Sequence, residues 1–222
     1  MKEYLDSWEE LYKNQKHKAI WPWTDIVALT NKYIKKRNIL ILELGCGFGA
    51  NIPFLITISN KYYGIDYSKT AINFLRKRFP LIKNNLIVGN FTKEIPFTKK
   101  FDLIIDRSSI THNTNNKVVD CIKTLKNVMK NNSIYIGVDW FSNKINLDNK
   151  KNIKNVDKFT KSNFSGILKN TGVAYFTSEK KIKDLFKDFR ILHLEEKIIN
   201  RKLPKKHNNY YVSWNIVVSK KS

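Results

Sequence analysis

The chain has 222 residues, 42% hydrophobic and 13% aromatic, which excludes general disorder and suits one well-buried core better than two. Lys and Arg number 41 against 19 Asp and Glu, a formal charge of +22. No run of about 18 apolar residues is present, so no membrane span is expected, and the start M-K-E-Y-L-D-S-W-E-E lacks the apolar run and cleavage site of a secretory signal.

Tyr4, Leu5, Trp8, Leu11 and Tyr12 recur at helical spacing over roughly the first fifteen residues. After I-W-P-W-T-D-I-V, where Pro22 suits a first helical turn, Ile26, Val27, Leu29 and Ile34 continue a second helix. I-L-I-L-E-L, 39–44, is a continuous apolar run, the mark of a strand buried on both faces. A glycine turn and a short helix follow. K-Y-Y-G-I-D gives a second strand ending at Asp66, and Ser68 caps the helix after it. L-I-V-G-N, F-D-L-I-I-D and S-I-Y-I-G-V-D-W are three further strands. Val118, Ile122, Leu125 and Met129 mark one face of the helix before the last of them.

Strand and helix alternating in this way imply a mostly parallel sheet with right-handed crossovers. The tail differs: a helix near 178–189 leads to a strand near 190–196, a lysine-rich loop and an alternating last strand, an antiparallel pair. Residues 141–172, rich in Asn and Lys, are too long for a simple connection. They read as a disordered insert or as a lid over the strand ends.

E-L-G-C-G-F-G, 43–49, is the strongest motif. It follows an apolar strand, starts with an acid and precedes a helix, and its glycines allow a tight turn and close approach of a ligand. Asp66 lies about twenty residues on, where a carboxylate can accept from ribose hydroxyls. Cys46 sits in the turn and Cys121 in a helix, a spacing that suggests neither a metal site nor a disulfide framework. A reducing cytoplasm is the simplest compartment.

On these motifs, residues 37–140 resemble the class I S-adenosylmethionine-dependent methyltransferases. The resemblance implies an α/β, Rossmann-like fold: a seven-stranded, mostly parallel sheet with an antiparallel C-terminal strand and helices on both faces. It implies S-adenosyl-L-methionine as cofactor, S-adenosyl-L-homocysteine as product, and no metal. By the same resemblance Glu43, Gly45, Cys46 and Gly47 approach the methionine part, Asp66 binds the ribose, and Tyr67 flanks the adenine. Asn90, where many relatives carry an acid, and Phe91 lie near the purine. Asp106 and His112 follow the fourth strand, where the methyl is transferred. Either could be the base of an O-methylation, and an imidazole titrates nearer neutrality than a carboxyl. Asp106 could also touch the cofactor. Arg107, Ser108, Asp139 and Trp140 fall on the substrate side. Each has a plainer reading, such as a structural ion pair for Asp106 and Arg107. Trp21 and Trp23 either cover the cofactor or pack the N-terminal helices.

Residues 1–222 are expected to form a single domain: a helical cap (1–36), a cofactor-binding core (37–140), a lid or insert (141–177), and a C-terminal helix with an antiparallel strand pair (178–222). W-P-W-T-D and D-R-S-S-I-T-H-N give a looser resemblance to small bacterial methyltransferases of surface-polysaccharide synthesis. That implies O-methylation of a sugar, a nucleotide-activated sugar or a related phosphorylated precursor. Lys144, Lys150, Lys151, Lys154, Lys158 and Lys161 would suit an anionic substrate, or simply a solvated loop. The overall charge would suit RNA or an acidic lipid surface. Its even spread along the chain and the scarcity of Arg favour biased residue usage instead. RNA methylation and non-catalytic cofactor binding stand as alternatives. No amino-methylation motif of the N-P-P-Y kind is present.

Overall fold

The computed structural model describes residues 4–15, 18–147, 150–203 and 210–221. Two helices come first, α1 (Asp6–Lys13) and α2 (Thr24–Tyr33). Next come β1 (Ile41–Leu44), α3 (Ile52–Ile58), β2 (Tyr62–Asp66), α4 (Lys69–Arg78) and β3 (Leu86–Val88). They are followed by β4 (Phe101–Arg107), α5 (Asn115–Val128) and β5 (Met129–Phe141). Three short strands, β6 (Lys154–Asn155), β7 (Thr160–Ser162) and β8 (Val173–Tyr175), precede α6 (Glu179–Leu185), β9 (Phe189–Asn200) and β10 (Tyr210–Lys220). The start of the first expected helix, 1–3, and most of the lysine-rich loop, 204–209, lie outside the described residues.

The main sheet has seven strands in the order β3-β2-β1-β4-β5-β10-β9. The first five are parallel, and β10 runs antiparallel to both β5 and β9. This is the Rossmann-like sheet that the sequence predicts. The chain moves outward from β1 to β3 and then returns to β4 on the other side of β1. The carboxyl ends of β1 and β4 therefore part around a crevice, where open α/β sheets take their ligands.

Side-chain alternation sorts the core. Leu42 and Leu44 join the cluster packed by α5 and α6, while Ile41 joins the one packed by α2, α3 and α4. Glu43, with the same parity as Ile41, falls on the second face at the strand's end. The Ser68 side chain accepts from the Ala71 N–H at 3.0 Å and caps α4 as expected. The basic run Arg76, Lys77 and Arg78 sits favourably in the last turn of α4.

The segment 141–172, left as insert or lid by sequence, builds with β8 a second small sheet of order β6-β7-β8. Phe164, Leu168, Ala174 and Phe176 pack beneath it against Phe141. Asp157 accepts from the N–H groups of Phe159 and Thr160, both at 2.9 Å, and from Asn115 N at 3.0 Å. That last bond ties the segment to the start of α5. Strands of two and three residues are too short to show a period, which is why pattern alone left them unassigned.

Candidate active site

At the carboxyl ends of the parallel strands lies a cavity of about 450 Å³, in the size range of small-molecule sites. Its floor is the turn after β1. Gly45 and Gly47 have φ of +65° and +51°, in the left-handed region. A Cβ on Gly45 would lie 2.4 Å from that of Ser109, and one on Gly47 would lie 2.5 Å from the Tyr12 hydroxyl. Gly45→Ala is therefore expected to cost about 2–3 kcal/mol and to lower the Tm by roughly 5–10 °C. A thermal melt of the variant checks it, and an unchanged Tm would show that the turn can yield.

Two buried carboxyls face this cavity. Glu43 accepts from the Tyr62 hydroxyl at 2.6 Å and from Asn51 Nδ2 at 2.8 Å. Burial pushes its pKa up to about 7 against those two bonds, and the charges of Asp66 and Asp106 add to the rise. Asp66 accepts from Gly47 N and Ser68 N, both at 2.8 Å. Burial raises it to about 6 against these bonds. Asp66 thus fixes the glycine turn from the neighbouring strand.

The end of β4 departs from expectation. Asp106 does not line the cavity. One of its oxygens accepts from Ser109 N and Ile110 N at 2.8 and 3.0 Å, and the other from Trp140 Nε1 at 2.6 Å and the Tyr135 hydroxyl at 3.2 Å. It is a fully buried organiser of the 3-10 turn Ile110–His112, poorly placed as a base or a cofactor contact. Trp140, whose indole holds Asp106 and packs on Phe186, belongs to the core rather than to the pocket wall. His112 does line the cavity. Its ring stands edge-on to Trp8 at 4.6 Å and to Phe141 at 5.3 Å between centroids. Its Nδ1 donates to the Val173 carbonyl at 3.0 Å, since a carbonyl oxygen only accepts.

Arg107 and Ser108 line the cavity, whereas Asp139 lies behind them. The Arg107 guanidinium stacks on Trp23 at 3.7 Å and binds Asp139 Oδ2. The Ser108 hydroxyl donates to the Asp139 carbonyl. Trp23 thus reaches the site, while Trp21 is 72% exposed and does not line the cavity. Cys46, Tyr67 and Phe91 also line the cavity. Burial pushes the Cys46 thiol well above its usual range, so it acts as a small apolar wall. Asn90 stands off the lining. Its carbonyl accepts from Thr92 N and Oγ1, not from outside, and its buried Nδ2 has no partner among the described residues.

The sequence suggests a helical cap over 1–36 but does not tell which of its residues face the turn. Leu5, Trp8 and Tyr12 of the α1 region line the cavity. Two acids of α1 tie it to the segment after β2. Asp6 accepts from the Tyr67 hydroxyl at 2.8 Å, and Glu9 from the hydroxyls of Ser68 and Thr70 at 2.5 and 2.6 Å. Ile167, Leu168 and Thr171 bring the insert to the opposite wall. None of the insert lysines whose side chains are described lines the cavity. Lys144 pairs with Glu196 instead, and Lys161 lies over Phe176.

A glycine turn at the switch point of a Rossmann-like sheet, with two buried acids facing one cavity, is the arrangement of a nucleoside-type cofactor site. The chain belongs to the methyltransferase-domain family, whose profile matches residues 35–190, and S-adenosylmethionine is its cofactor. Its fold is similar to that of TehB from Haemophilus influenzae (18% identity, 96% of this chain and 67% of that one, TM-score 0.66). It is also similar to a SAM-dependent methyltransferase from Methanosarcina mazei (19% identity, 87% and 97%, 0.64). A third likeness is to 1,6-didemethyltoxoflavin-N1-methyltransferase from Burkholderia thailandensis, solved with 1,6-didemethyltoxoflavin and S-adenosylhomocysteine (10% identity, 98% and 87%, 0.69). No curated protein matches the chain by sequence. Among the described residues no helix is long and apolar enough to cross a membrane.

The residues present fit the cofactor. Gly45 and Gly47 line the cavity with bare backbone, their Cβ positions being taken by Ser109 and the Tyr12 hydroxyl. Buried carboxyls on the cavity wall match a cationic amino group and vicinal hydroxyls.

Proposed function

We propose that the protein transfers a methyl group from S-adenosylmethionine to an oxygen of a small acceptor. A sugar or nucleotide-activated precursor of a surface polysaccharide is the acceptor class we favour. The observation that carries this reading is the meeting of the glycine turn, both carboxyls and His112 in one small cavity, with Trp8 and Tyr12 of α1 over the turn. Such a cavity suits a small molecule better than a folded RNA.

In this reading Glu43 holds the cofactor's ammonium group and Asp66 its ribose hydroxyls, Phe91 and Tyr67 flank the adenine, and Cys46 belongs to the turn that approaches the methionine part. The bound cofactor supplies an electrophilic methyl together with its own leaving group. What remains for the chain is alignment, dryness and a proton acceptor. Trp8, Phe141 and Tyr211 give the cavity aromatic walls that exclude water. With its Nδ1 proton committed to Val173, a neutral His112 carries its basic lone pair on Nε2 and can take the acceptor's hydroxyl proton. Asp106 serves as a positioning group, because it fixes the turn that presents His112.

His112→Ala is expected to leave S-adenosylhomocysteine affinity within about threefold and to lower turnover by roughly a hundredfold or more. Single-turnover rates with the identified acceptor check it, and unchanged rates would remove His112 as the base. To find that acceptor, the protein is incubated with methyl-labelled S-adenosylmethionine and a cell extract, which is then fractionated. Label in sugar nucleotides or polysaccharide supports the reading. Label in RNA would overturn the acceptor class, and binding without transfer would overturn the enzymatic reading.

A further inference from the structure

Four charges of alternating sign form a ladder that ends at the cavity. Asp25, in the first turn of α2, pairs with Lys197 of β9. Lys197 Nζ lies 2.6 Å from Asp139 Oδ1. The other oxygen of Asp139 receives Nε and Nη2 of Arg107 at 3.2 and 3.0 Å. The guanidinium is the last rung and lines the cavity.

A purely structural pairing does not account for this geometry. Asp139 already has Lys197 as a counter-ion, with Ser213 donating to the same oxygen at 3.2 Å. Arg107 commits two donors to a single oxygen, and among the described residues its Nη1 makes no bond. Stacking on Trp23 fixes the guanidinium plane, so further bonds can form only along its edge. The Trp23 backbone is itself held, its main-chain N–H donating to Asn51 Oδ1 at 3.2 Å. The backbone beneath is also unusual. Ser108 and Asp139 both have φ of 57°, and Ser108 Oγ bonds the Asp139 carbonyl. Left-handed backbone at non-glycine residues gathers at ligand clamps, where the surroundings hold it. Finally, Arg107, the last residue of β4, joins Lys18 as a cation of a cavity whose lining acids are Glu43 and Asp66.

We propose that Arg107 is an oxyanion subsite that takes a carboxylate or phosphate group of a ligand in the cavity. Asp139, Lys197 and Trp23 act as its positioning residues. The inference rests on the reading that the cavity binds S-adenosylmethionine. The oxyanion has two sources, the cofactor's own carboxylate or an anionic group on the acceptor.

Calorimetry on the full chain tells them apart, using wild type, Arg107→Met and Arg107→Lys. If the subsite serves the cofactor, the S-adenosylhomocysteine Kd rises by about tenfold or more in Arg107→Met. A decarboxylated analogue then binds wild type and variant alike. If the subsite serves the acceptor, the S-adenosylhomocysteine Kd stays within about threefold. Inorganic phosphate then binds the S-adenosylhomocysteine-loaded wild type but not the loaded variant. Arg107→Lys keeps the charge, loses the planar fork and restores binding only in part. It also serves as the test if Arg107→Met fails to fold. Equal behaviour of wild type and variants in both arms overturns the proposal. Failure of wild type to bind S-adenosylhomocysteine overturns the cofactor assignment instead.

Discussion

Asp66→Ala is expected to weaken S-adenosylhomocysteine binding by roughly a hundredfold or more. Two charge-assisted hydrogen bonds to a ribose, at about 1.5–3 kcal/mol each, amount to at least about 3 kcal/mol. The same carboxylate also accepts from Gly47 N and Ser68 N. Alanine strands both donors in the interior, so the free protein loses stability as well, by about 1–3 kcal/mol per donor. Titration calorimetry and thermal melts separate the two losses. Asp66→Asn keeps one acceptor oxygen and is expected to recover part of each. Near-normal affinity in the alanine variant would remove Asp66 from the cofactor site.

Ligand binding is expected to draw a second pH signature from Glu43. Its pKa of about 7 in the free protein lies above the ordinary carboxyl value of 4.5. The folded state therefore holds a proton that the unfolded chain releases between pH 4.5 and 7. The stability linked to Glu43 is fully present below that window and is lost as the pH rises through 7. Asp66, raised from 3.8 to about 6, acts with the same sign over a lower window. Cofactor binding runs the other way, because an ammonium group needs the ionised carboxylate. The Kd is expected to rise as pH falls below 7, by up to about tenfold per unit. Glu43→Gln should flatten both profiles and leave the variant more stable than wild type at pH 8. An S-adenosylhomocysteine Kd that does not change between pH 6 and 8 would dissociate Glu43 from the cofactor.

The parts of the molecule legible in the sequence are those with local causes. β1 announces itself by its apolar run, and Ser68 by its place before an amphipathic stretch. Asp66 shows by its distance from the glycine turn. The parts not legible are set by chain segments far apart. Nothing near Trp140 says that its indole is spent on Asp106, 34 residues away in sequence. Tyr12 meets Gly47, and Lys197 meets Asp139, only through the way α1 and β9 dock. Asp106 misled for a related reason: an acid at the end of β4 looks the same in the sequence whether it faces the ligand or caps the turn. The partners of Glu43 had a faint signal. Asn51 follows the glycine motif directly, and Tyr62 opens β2, where β1 pairs with it in parallel register.

The roof over the glycine turn has a thermodynamic consequence. α1 is only eight residues long, and a helix of that length does not persist alone in water. Its order is borrowed from Tyr67, Ser68 and Thr70 and from the aromatic side chains beneath it. Undocking α1 is therefore expected to unravel it, so that the site would open by melting rather than by the swing of a rigid flap. Ligand exchange should then carry the steep temperature dependence of a local unfolding step. The amides of α1 should trade hydrogen for deuterium on the timescale at which the cofactor comes and goes.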